Sequence, residues 1–147
     1  MKVDKKAING GILLATFGLV SFLAIIHFVF DGLEVPFQKD LIPFFLMACM
    51  INYSVSILVS QFCLKAIQFG NNPKLMGLAY TLLSLLVISI LYNMPYIIYR
   101  AFLDDTVQIK DLLSFLLISA LYFFVLGFIP AIAIGIPYGL YLNDDYL

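Results

Sequence analysis

Four stretches of this sequence run for 24, 24, 25 and 32 residues without a formal charge: between Lys6 and Asp31, Asp40 and Lys65, Lys74 and Arg100, and Asp111 and Asp144. A helix needs about 20 apolar residues to cross roughly 30 Å of bilayer hydrocarbon. Three of the stretches match one crossing each, with a little length left for tilt. The fourth is too long for one straight crossing and too short for two crossings and a turn. It reads as one long helix, and Pro130 and Pro137 within it predict a kink, since each removes an amide donor and crowds the preceding turn.

A soluble fold is excluded by the balance of surface to charge. The chain is 63% hydrophobic and 12% charged, with a mean hydropathy of +1.05. A small soluble domain keeps about a third of its unfolded surface wet, and these few charged side chains cannot cover it. Nucleic acid is excluded as a partner, because the net charge is −1 and no basic stripe is present. The sequence therefore predicts an all-α, polytopic membrane protein. The expected architecture is one compact bundle over residues 1–147, with four transmembrane helices, short loops and spans near 8–30, 41–64, 75–99 and 112–141.

Lys2, Lys5 and Lys6 resemble the start of a signal peptide, but the apolar run after them exceeds the usual 7–15 residues or so and no small-x-small site follows. The first segment is expected to remain as a span. Turn chemistry agrees with the count. Gly32 reads as a stop for the first helix, and Gly70-Asn71-Asn72-Pro73 reads as a C-terminal glycine, an N-cap asparagine and a first-turn proline. Asp40 is placed to cap the second helix, and Asp105, with Gln108 three residues on, to cap the fourth.

Placing the N-terminus in the cytoplasm puts Lys2, Lys5, Lys6, Lys65 and Lys74 on the inner side, against Lys39, Arg100 and Lys110 outside. The five-to-three bias favours both termini in the cytoplasm, with the protein in a cytoplasmic (inner) membrane. Asp31, Glu34, Asp104 and Asp105 then lend the outer face a negative tendency.

Several stripes point at helix packing. Gly127, Ala131, Gly135 and Gly139 recur every fourth residue, a small-xxx-small ladder that lets backbones approach another helix of the chain or of a second subunit. Gly11, Ala15 and Gly18 share a face of the first helix, and Gly77, Thr81 and Ser84 a face of the third. Along the second helix Cys49, Asn52, Ser56, Ser60 and Cys63 form a polar stripe that should face protein, either as packing or as the lining of a hydrated path. Tyr92, Tyr96 and Tyr99 make an i, i+4, i+7 stripe at the outer end of the third span, where an aromatic belt is expected.

Chemistry has few carriers in the spans. None contains an acid or a lysine, and the one candidate for a titratable relay is His27, a weak candidate for a proton site near the outer end of the first helix. Two cysteines fourteen residues apart on one helix lie about 21 Å from each other, too far for a disulfide. No catalytic, cofactor or metal constellation stands out, so the chain is expected not to be an enzyme. Two functions remain. One is a protein working through protein–protein contacts with another membrane protein, as a subunit of a complex or as an immunity-type neutraliser of a membrane-directed toxin. The other is a small transporter or channel, built as a homo-oligomer through the helix-four ladder, with its path lined by the polar face of helix two. Membrane lipid is a partner in both.

Overall fold

A computed structural model describes residues 4–30, 32, 37–39, 41–95, 97–98 and 109–143. They form four long helices: α1 (Lys5–Phe30), α2 (Ile42–Gln68), α3 (Pro73–Leu91) and α4 (Ile109–Asn143). All four are long and apolar enough to cross a membrane, and no strand occurs among the described residues. Met50 is 72% exposed and Ile129 is 77% exposed, a surface that lipid satisfies and water does not. The protein is an integral membrane protein, an all-α bundle of four spans.

The turn between α2 and α3 follows its sequence closely. Gly70 takes φ +88°, a left-handed conformation that side chains resist, and its N–H donates to Ile67 O at 2.9 Å. The N–H of Asn71 reaches Ala66 O at 3.3 Å, completing a Schellman closure of α2. Asn72 then caps α3, its Oδ1 accepting from the Lys74 amide at 3.0 Å with Pro73 in the first turn. This tight reversal fixes α2 and α3 as antiparallel neighbours.

Two boundaries differ from expectation. The N-cap of α2 falls on Leu41, with no side-chain cap, and Asp40, the expected cap, lies outside the described residues. Pro43 lies in the first turn, where a missing amide costs nothing. The third helix ends at Leu91 and does not run as one element to residue 99. Pro95 explains this, because it has no N–H for the Leu91 carbonyl and its ring crowds that same carbonyl. Asn93 fills in with its side chain, Nδ2 donating to Ser89 O at 3.0 Å, and helical geometry resumes at Met94 and Pro95. With 19 residues, α3 rises only about 28 Å, close to the minimum for a crossing. By contrast α4 keeps 35 helical residues through both Pro130 and Pro137, so neither proline breaks it. The expected caps of α4, Asp105 and Gln108, lie outside the described residues.

The most extensive helix pairing is α3 with α4, followed by α1 with α2 and α2 with α3. Glycines set the closest approaches. A Cβ on Gly77 would overlap the carbonyl oxygen of Gly135 and stand 2.5 Å from Gly139 Cα. One on Gly11 would stand 2.5 Å from Ile57 Cα, so α1 lies backbone to backbone on α2. The densest packing gathers at the end of the bundle that carries the α2–α3 turn. There Ala7 and Leu14 of α1, Cys63, Leu64 and Ile67 of α2, and Tyr138 and Leu142 of α4 form a buried cluster, with Met76 and Tyr80 of α3 against it.

Candidate functional site

Away from that packed end the four helices separate around a half-enclosed cavity of about 900 Å³. It reaches from Ser56, Thr81 and Ile134 near the middle of the bundle to Gly32 and Leu41 at the far end. Every helix contributes to its wall, and aromatic side chains are prominent in it, Phe17 and Phe22 of α1 and Phe115, Tyr122 and Phe123 of α4 among them. Bulk explains the separation. Glycines bring backbones together at the turn end, whereas aromatic rings stand between helices at the other.

Three rings tie the open end together. Tyr92 follows α3 directly, its ring 4.9 Å from that of Phe123 on α4 and 5.9 Å from that of Phe22 on α1, and Phe22 and Phe123 are 6.0 Å apart. The tilted geometries are the favourable ones for aromatic pairs. Tyr92 thus lies inside the bundle, whereas a belt residue would face the lipid. Tyr96 and Tyr99, the rest of that stripe, lie outside the described residues, as do the outer-face candidates Asp31, Glu34, Asp104 and Asp105.

The polar stripe of α2 divides between the two regions. Cys49, Asn52 and Ser56 line the cavity, while Ser60 and Cys63 are fully buried toward the packed end. Asn52 secures α2 to α1, its Nδ2 donating to Ala15 O at 2.8 Å. One residue on, Tyr53 and Thr16 share a hydroxyl–hydroxyl hydrogen bond of 3.1 Å, while Thr16 Oγ1 donates to Ile12 O at 2.8 Å. Asn52→Leu should cost about 0.6–2 kcal/mol of bundle stability, the range for interhelical hydrogen bonds in lipid. Unfolding in detergent would read it, and a variant as stable as the native protein would remove Asn52 as a link.

The helix-four ladder is occupied within the chain. A Cβ on Gly127 would meet Leu85 Cδ1 at 2.5 Å, one on Gly135 would meet Leu78 Cα at 2.8 Å, and one on Gly139 would overlap the carbonyl of Pro73. Ala131 is 6% exposed on the same helix. All three glycines therefore face α3, and no second copy can use the face they form. Gly77, Thr81 and Ser84, the matching face of α3, are all buried.

His27 is exposed, its ring 4.8 Å from Phe28, and it does not line the cavity. Cys49 and Cys63 are both free thiols. Among the described residues, no three side chains of His, Cys, Asp or Glu come together as metal ligands would. The cavity wall carries no formally charged side chain among those residues. Its wall is apolar and aromatic, with the Asn52 amide, the Cys49 thiol and several hydroxyl-bearing side chains among the lining residues.

Sequence reading missed the Phe22–Tyr92–Phe123 cluster and the role of Gly10. A Cβ on Gly10 would stand 2.8 Å from Leu142 Cδ2 and 3.0 Å from Ser60 Oγ. Its neighbour Gly11 carried the visible small-residue pattern, and nothing marked Gly10 apart from its being glycine. The chain finds no match among protein-family models, curated proteins or solved structures.

Proposed function

We propose that this membrane protein is non-catalytic and works through protein–protein contacts, as a small subunit of a membrane complex or as a neutralising partner of a membrane-directed toxin. The observation that carries this reading is the closure of the helix-four ladder on α3. A transporter made of several copies needs a seam between them, and the one strong seam in the sequence is spent inside a single chain. The exposed surfaces of α2 and α4 remain for lipid and for another membrane protein. Positive-inside bias supports a cytoplasmic membrane with both termini in the cytoplasm.

A small transporter is the second reading. It is favoured by the cavity, whose wall includes Cys49, Asn52 and Ser56 from the polar face of α2. One experiment separates the two. The tagged protein is extracted from its native membrane in mild detergent, and the particle mass and composition are measured. The contact reading predicts a stoichiometric second protein, and the identity of that protein distinguishes subunit from neutraliser. A homo-oligomer without a second protein contradicts it and supports the transporter.

A further inference from the structure

Basic side chains and acids keep close company along this sequence except at the turn between α2 and α3. Asp4 stands within four residues of Lys2, Lys5 and Lys6, Asp40 of Lys39, Asp104 of Arg100 and Asp111 of Lys110. Lys65 and Lys74 have no such neighbour, because no Asp or Glu occurs between Asp40 and Asp104. Asp4, at the same end of the bundle, serves as the cap of α1, its Oδ1 accepting from the Lys6 amide at 2.9 Å.

Exposed apolar side chains accompany the two lysines. Phe69, at 86%, is the most exposed large hydrophobic side chain among the described residues, and Phe62 and Leu75 are exposed as well. Phe62, Lys65 and Phe69 follow one another at spacings of three and four, which places them on one outward face at the end of α2. Lys74 and Leu75 are both exposed in the first turn of α3. The depth of that turn follows from length. A helix of 19 residues barely covers the hydrocarbon, so its first residues stand at the level of the lipid heads.

From charge, exposure and depth together, we infer that the α2–α3 turn is a docking surface for anionic phospholipid. The lipid phosphates meet the Lys65 and Lys74 ammonium groups, and Phe62, Phe69 and Leu75 lie against the first part of the acyl chains. Lysine suits this position because its stem stays in apolar surroundings while its head reaches the phosphates. A zwitterionic lipid brings its own cation to two lysines and gains less from them. An acidic protein surface would leave Phe69 and Leu75 facing charge, and α3 is too short to lift Lys74 clear of the lipid heads.

The far end of the bundle supplies the control. Lys39 and Lys110 are exposed there, each with an acid next in sequence. Purified protein in mild detergent is titrated with palmitoyl-oleoyl phosphatidylglycerol and, separately, with the phosphatidylcholine of the same chains, and bound lipid is read by native mass spectrometry. The native protein should bind the phosphatidylglycerol about fivefold or more tightly than the phosphatidylcholine, since each lysine contributes about fivefold toward an anionic head. The double variant Lys65→Gln, Lys74→Gln should reduce that preference to about twofold or less. The double variant Lys39→Gln, Lys110→Gln should keep it. All four lysines are exposed, so these changes leave the packing of the bundle as it is. Equal binding of the two lipids by the native protein overturns the inference and leaves an acidic protein surface as the partner of the turn. A preference that survives in the Lys65, Lys74 variant, or that falls as far in the Lys39, Lys110 variant, overturns it too.

Discussion

Gly77→Ala should destabilise the bundle by about 3 kcal/mol or more, at or beyond the upper end of the usual cost of overpacking. A single methyl group does this because of what it meets. The new Cβ would overlap the carbonyl oxygen of Gly135 and stand 2.5 Å from Gly139 N and Cα. These are backbone atoms of a packed helix, and no flexible side chain end is available to move aside. To admit the methyl group α3 and α4 must part along their whole contact, the most extensive in the molecule. Lipid does not compensate, because helix association in a bilayer rests on close packing and lacks a hydrophobic driving force between helices. Gly18→Ala is the matched control. Its Cβ meets only Asn52, at 3.7 Å and 3.9 Å, and glycine inside a helix is worse than alanine by roughly 0.5–1 kcal/mol. Unfolding of the two variants in one detergent should therefore move in opposite directions. Gly77→Ala as stable as the native protein would remove the α3–α4 seam from the account.

Tyr138→Ala should cost about 3 kcal/mol, the low end of the roughly 3–5 kcal/mol seen when a large aromatic core side chain is cut to alanine. Among the described residues Tyr138 is the largest fully buried side chain, and it belongs to the cluster with Cys63, Leu64 and Leu142 that joins α1, α2 and α4 at the turn end. The low end applies because transfer out of water contributes little where the unfolded helix faces lipid, so lost packing carries most of the penalty. Tyr138→Phe keeps the ring and should change stability by less than about 1 kcal/mol. Equal losses from the two substitutions would assign the effect to the hydroxyl and contradict a packing role for the ring.

Much of the architecture was legible in the sequence because lipid imposes simple rules. Spans must be long and uncharged, and turns must supply specific backbone chemistry, so the four helices and the Gly70–Pro73 reversal could be read residue by residue. The end of α3 needed Pro95 to be weighed against an otherwise apolar run that continues to Tyr99. The kind of face was also legible, as in the α2 stripe and the α4 ladder. What the face touches was not. Periodicity places Gly135 and Gly139 on one side of α4, yet only the fold shows that α3 occupies that side. The α2 stripe looked uniform, but Ser60 and Cys63 meet a packed end while Cys49, Asn52 and Ser56 meet a cavity. That division arises from residues on other helices, the glycines that close one end and the rings of Phe22, Tyr92 and Phe123 that hold apart the other.

The contrast between a packed end and an open end is the central claim about this molecule, and its two cysteines report on it without any mutation. Cys49 is half-buried and lines the cavity, whereas Cys63 has no exposed surface within the packed cluster. Purified protein in mild detergent is treated with N-ethylmaleimide, and adducts are counted by intact mass and located by peptide mapping over time. One adduct per chain should form at Cys49, with Cys63 modified only when the protein is unfolded. Modification of Cys63 at the same rate as Cys49 in the folded protein would contradict the packed end, and protection of both thiols would contradict the cavity.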